Sequence, residues 1–169
     1  LAGEAVVLVD HNDARGFSGS EQVDPAAVVD HHPGEGTGHA FTDVRPDYGA
    51  CASIVAEYFR ELGWTPGDSE ETATALQPRV ATGLVYGILS DTNNLTKGTT
   101  RGEFDAVSYL YPGVDEDRLD RIANPEVDAA VLDVKATAIT EREVRSPFAV
   151  SDVGSVSNVD AIPQAADEL

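Results

Sequence analysis

Methionine is absent from the 169 residues and cysteine occurs once, at Cys51. A single thiol excludes an internal disulfide and cannot by itself build a cysteine-rich zinc site. Basic residues are scarce too: 11 Lys and Arg face 30 Asp and Glu, a formal charge of −19. Such a chain has no generic attraction for nucleic acid phosphates, so an anionic ligand would need local cations or metal ions. Acid spread along the chain, with little lysine and much alanine and valine, matches the surface of a protein from a salt-loving source. Long apolar runs are missing as well. None approaches the roughly 18 residues that span a bilayer, and Leu1 opens no charged-then-apolar signal pattern, so we expect a cytoplasmic protein with no membrane partner. A leucine start, no methionine and acid-rich last residues that read as helix suggest a fragment cut at both ends.

What is present is α/β patterning. AVVLV at 5–9 and AAVV at 26–29 are short β-branched runs bounded by polar residues, the pattern of strands buried on both faces of a parallel sheet. Each run ends in Asp-His. The segment between them is too short for an ordinary helical crossover, which predicts an abbreviated connection. HAFTDVRP at 39–46 predicts an edge strand, and YGACASIVAEYFRELGW at 48–64 a helix stopped near Gly63. A second helix is expected over 68–92, starting near Ser69 and Glu70–Glu71, with Pro78 as a kink and Asp91 at its end. Short helices follow at 102–111 and 115–123, a longer one opening at Pro125, a strand within SPFAVSDVG, and a last helix capped by Ser157 or Asn158. The change near 143–150 marks the expected boundary, dividing 1–143 from 144–169.

Acids at the carboxyl ends of parallel strands stand where α/β sheets place ligands. If the two strands are neighbours, Asp10, His11, Asp30, His31 and His32 gather in a small volume, mixing oxygen and imidazole donors as a divalent first-row metal requires. Asp91, a carboxylate ending an apolar helix, is costly there without compensation, and a cation is one form of it.

The DHH at 30–32, LVDHN at 8–12, GACASIVAEYF at 49–59 and GILSDTNN at 87–94, in that order, resemble the DHH phosphoesterase superfamily, with a lean toward its RecJ-like and oligoribonuclease branch and a haloarchaeal source. The resemblance covers about residues 4–125. It implies a parallel-sheet domain with flanking helices, then the start of a second, smaller α/β domain. By residue, it implies that Asp10 bridges two manganese ions, magnesium being an alternative. His31 and Asp91 would ligate the second ion, and His32 would contact the phosphate. Asp30 then supports an imidazole, His11 and Asn12 lie beside the bridge, and Lys97 and Arg101 are candidate cations for substrate. The family's first metal cluster, on an earlier strand, has no counterpart in 1–169.

The implied activity is hydrolysis of phosphodiester or phosphomonoester bonds in short oligonucleotides or small nucleotides. Two ions about 3.5–4 Å apart would hold a bridging hydroxide for it. Alternatives are a manganese-dependent inorganic pyrophosphatase, which LVDHN favours, and a nucleotide-sensing module that kept the fold and lost the chemistry. Residues 1–169 alone are expected to bind metal weakly and to be inactive; a homodimer is the assembly to test.

Overall fold

The computed structural model describes residues 5–15, 18–67, 74–125, 127–159 and 161–169. They fall into two compact units, Leu1–Ala123 and Asn124–Leu169.

In the first unit the β-branched runs form β1 (Val7–Val9) and β2 (Ala27–Asp30), and FTDV forms β3 (Phe41–Val44). The strands pair in parallel in the order β1-β2-β3, with Val9 opposite Val29 and Asp30 opposite Val44. The described part of the β1–β2 connection holds only a 3-10 turn, Ser20–Gln22, so the crossover is abbreviated as the sequence implied. The β2–β3 connection runs across the sheet itself. A Cβ on Gly36, whose φ is +76°, would stand 2.5 Å from Cγ2 of Thr42 and 3.1 Å from Cγ2 of Val44. Glycine is needed both for that conformation and for that approach, and backbone replaces a helix on this face.

On the other face lies α1 (Cys51–Glu61), whose Cys51 and Ile54 pack on Val29. Ala50 and Ala56 point instead into a core with Leu76, Ala81, Val85, Ile88, Ala106 and Leu110. The helix ends at Gly63, φ +75°, the stop read from the sequence. Burial on both faces holds for β2 and fails for β1: Leu8 is buried, but Val7 and Val9 are more than half exposed, beyond the cover of α1.

The second helix is shorter than expected. Thr65–Pro66 (β4) and Ala75–Leu76 (β5) pair in parallel, and α2 begins only at Pro78 and ends at Asp91. Pro78 is thus the first helical residue and makes no kink, because a proline there forfeits only an N–H that has no helical partner anyway. Ser69 and Glu70–Glu71, the expected start, lie outside the described residues. Next come α3 (Arg101–Leu110) and α4 (Glu116–Ala123), as predicted. Thr100 and Glu103 form a capping box on α3, and Glu103 is fully buried.

In the second unit, α5 (Ala129–Thr140) starts after Pro125 because Asp128 caps it, accepting from the Ala130 N–H at 2.9 Å. The sequence run PEVDAAVLDVKATAITEREV, 125–144, reads as helix throughout, but its last two residues belong to β6 (Glu143–Arg145), which pairs antiparallel with β7 (Phe148–Val150). The last helix, α6 (Ala161–Ala166), packs Ala161 and Ala165 against α5. The boundary expected at 143 falls inside this unit, where β6 begins. Among the described residues no helix is long and apolar enough to cross a membrane.

Candidate metal centre

The register that sets Val9 opposite Val29 brings the two Asp-His pairs to adjacent strand tips. Asp10 N–H donates to the Val29 carbonyl at 2.9 Å, and Asp10 then turns into the left-handed region at φ +62°. Aspartate tolerates this conformation better than most residues, and such outliers cluster at functional sites.

His31 holds the centre of the cluster. Its Nδ1 lies 3.2 Å from the Tyr48 carbonyl, which can only accept, so Nδ1 carries the hydrogen. Nε2 is left facing two carboxylates, 3.3 Å from Asp10 Oδ1 and 3.8 Å from Asp91 Oδ2. Donor atoms about 2.0–2.6 Å from one ion lie at about such separations from each other. Donor atoms of Asp10, Asp30, His31 and His32 also fall within 4.8 Å of one another.

Asp30 is the support. Its Oδ1 accepts the His31 backbone N–H at 2.8 Å and His32 Nδ1 at 2.9 Å, while its Oδ2, also buried, has no hydrogen-bond partner. Burial alone would raise the Asp30 pKa, but the bonds from His32 and from the backbone outweigh it and hold it below the usual carboxylate value. The same side-chain bond raises His32. It leaves His32 Nε2 free to meet a ligand.

Asp91 is raised, first by burial and then by the negative charge of Asp10. Two carboxylates thus face the same imidazole nitrogen, a concentration of negative charge that a cation would offset. The set of two oxygens and one nitrogen, with no thiolate, suits manganese or magnesium better than structural zinc. The residues therefore fit a divalent ion: the donor atoms of Asp10, Asp30, His31 and His32 converge on one small volume, and Asp91 faces His31 from the end of α2.

The other residues predicted from sequence are placed less centrally. His11 Nδ1 bonds the Asp10 carbonyl at 2.6 Å, with its ring exposed. Lys97 sits in the exposed loop after α2, its N–H on the Thr92 carbonyl at 2.9 Å, and its ammonium has no ion-pair partner among the described residues. Arg101 pairs with Asp105 at 3.3 Å and lines a different cavity, between α1 and α3, with Tyr48, Ser53 and Tyr109. It is not gathered with the cluster.

Sequence reasoning placed Asn12 only beside the bridge, with no role, and missed Arg15. Asn12 Nδ2 donates to the carbonyls of His32 at 3.3 Å and Pro33 at 3.1 Å, tying the loop after β1 to the DHH turn. A Cβ on Gly34 would fall 2.6 Å from that nitrogen, so the glycine admits the clamp. Arg15 shares with Asp10 and His32 the wall of a cavity of about 330 Å³. Its signal was a lone basic residue in an acidic loop five positions beyond Asp10.

The architecture is an α/β fold with a parallel sheet and flanking helices, one found in solved structures of known description. An exopolyphosphatase-related protein from Bacteroides fragilis superposes with a TM-score of 0.64 at 17% identity, over 83% of this chain and 41% of that one. A Methanococcus jannaschii protein, provisionally described as a family II inorganic pyrophosphatase, superposes with a TM-score of 0.54 at 22% identity, over 83% and 46%. By sequence, an uncharacterized protein of Methanocaldococcus jannaschii is 38% identical over 143 residues, 84% of this chain and 28% of that protein. No family model matches the chain. The chain thus spans less than half the length of each of these proteins.

Proposed function

We propose that the chain carries the metal-binding half of a DHH-type phosphoesterase, a hydrolase of short oligonucleotides or small nucleotides that depends on manganese. One observation carries this reading: Nε2 of His31, its tautomer set by Tyr48, stands 3.3 Å from Asp10 and 3.8 Å from Asp91. The fold shared with an exopolyphosphatase-related protein supports it. When bound, divalent ions acidify a coordinated water and offset charge on the phosphoryl oxygens. Around them the chain's own residues divide the work. Asp10, His31 and Asp91 hold the ion, and Asp30 fixes the His32 ring so that Nε2 can hydrogen-bond a phosphate oxygen. Asn12 keeps the two motif loops at one spacing.

A pyrophosphatase is the second reading, supported by the fold shared with the provisionally described family II protein. Both rest on the same donors and differ only in what occupies the cavity.

The test has two parts. Calorimetric titration with manganese should show binding that Asp10→Asn and His31→Ala each abolish. The full-length protein with manganese is then assayed against an oligoribonucleotide, adenosine bisphosphate, a cyclic dinucleotide and pyrophosphate. Metal binding unaffected by both substitutions, or turnover of none of the four, overturns the proposal.

A further inference from the structure

Resting on that reading, we infer that Arg15 is a substrate-binding residue that takes a second phosphoryl group, one beyond the group attacked, and so selects substrates with two phosphates or more.

The charges in the cavity lead there. Its wall is made by Asp10, Asp30, His32 and the loop after β1, and Arg15 is the one permanent cation among its described lining residues. An ion held by Asp10, His31 and Asp91 would be neutralised largely by their two carboxylates. An anion with several charges therefore needs a further positive group, in a chain whose formal charge is −19. Lys97 and Arg101 do not line this cavity.

Arg15 is poised for exchange. Its Nε–H is shared between Asp13 Oδ1 at 2.6 Å and Oδ2 at 2.5 Å, and Nη2 pairs with Oδ2 as well, so two nitrogens grip one carboxylate. The Arg15 side chain is 85% exposed. An exposed ion pair is weak and can be given up, and a phosphoryl oxyanion presents the same planar-fork match with more charge. Asp13 stands in for the phosphate until substrate arrives, holding the guanidinium at the cavity wall and discouraging weak anions.

The experiment uses the manganese-loaded full-length protein and two probes that cannot be hydrolysed at a P–O–P or ester bond: inorganic phosphate and methylenebisphosphonate. Affinities for both probes and for manganese are measured by calorimetry in wild type, Arg15→Gln, Asp13→Asn and the double variant. Arg15→Gln is expected to weaken bisphosphonate about 10–100-fold. Phosphate and manganese affinities should change little, and the latter shows that the variant folds. Asp13→Asn should tighten bisphosphonate severalfold, a gain that disappears when Arg15 is also replaced. Equal bisphosphonate affinity in wild type and Arg15→Gln, with manganese and phosphate still bound, overturns the role of Arg15 and leaves the phosphoesterase reading standing. Failure of the wild type to bind manganese overturns both, whereas a wild type that binds manganese and phosphate but not bisphosphonate overturns the role of Arg15 alone.

Discussion

His32 Nδ1 lies 2.9 Å from Oδ1 of Asp30, a carboxylate with no exposed surface. The acid that looks like the first letter of a ligand motif works here as a support: it fixes one ring and the backbone of the other histidine, and both raise the cost of moving the turn.

Asp30→Asn tests that support. The amide keeps the shape but gives up the charge, and outer supports of this kind are worth about 10–100-fold in metal affinity or activity. His32 now titrates above its ordinary value because of Asp30, so its stabilising bond is fully present below the unfolded histidine pKa and fades as pH rises through the raised one. In Asp30→Asn the His32 titration, followed by NMR, should move down toward the ordinary value. A histidine titration that stays put would contradict the assignment.

Asp91 predicts an exchange of function for stability. Its pKa is raised by burial and by Asp10, so ionised Asp91 opposes folding above the unfolded carboxylate pKa, and that cost is relieved as pH falls. Asp91→Asn should lose manganese binding yet melt about 1–3 °C higher than metal-free wild type at neutral pH, a modest gain because the side chain is 35% exposed. Calorimetric scans with and without manganese check both. In wild type the metal should raise the melting temperature; in the variant it should not.

Glu103 has the opposite sign. Its carboxylate accepts the Gly49 N–H at 2.9 Å and the Thr100 N–H and hydroxyl at 2.7 Å each. Burial would raise its pKa, but those bonds outweigh it and hold it below the ordinary value. Its contribution is therefore present above the unfolded glutamate pKa and is lost as pH falls through the depressed one. Glu103→Ala should cost about 2–4 kcal/mol at neutral pH, with a smaller difference from wild type in acid. Urea titrations at neutral pH and near pH 3 measure it.

The acidic surface predicts a salt dependence. Raising KCl from about 0.1 M to about 1 M shortens the Debye length from about 10 Å to about 3 Å. Self-repulsion at a formal charge of −19 should weaken with it, and the melting temperature should climb by several degrees. A flat or falling curve would remove the support for a salt-adapted surface.

The ends of strands and helices were the legible part. Asp10 and Asp30 end β-branched runs, so strand pairing alone brings them together, and Asp91 ends an apolar helix for the same kind of reason. Contacts made by backbone left no trace in residue type: nothing about a tyrosine says that its carbonyl will set the tautomer of His31. Arg101 was named from the resemblance alone, and residue type gave no sign that α3 pairs it with Asp105. Pro78 was misread because its first-turn role shows only once β5 occupies the residues before it. The β6–β7 hairpin was hidden because Glu-Val-Arg continues a helical composition and is set by its partner strand.

The left-handed backbone of Asp10 narrows what evolution or a library can place there. The position imposes two filters at once, a carboxylate for the ion and a side chain short enough to tolerate φ near +60°. Glutamate passes the first and strains against the second; asparagine passes the second and fails the first. A saturation library at position 10, sorted separately for folding and for metal capture, would return two survivor lists whose overlap is a single letter.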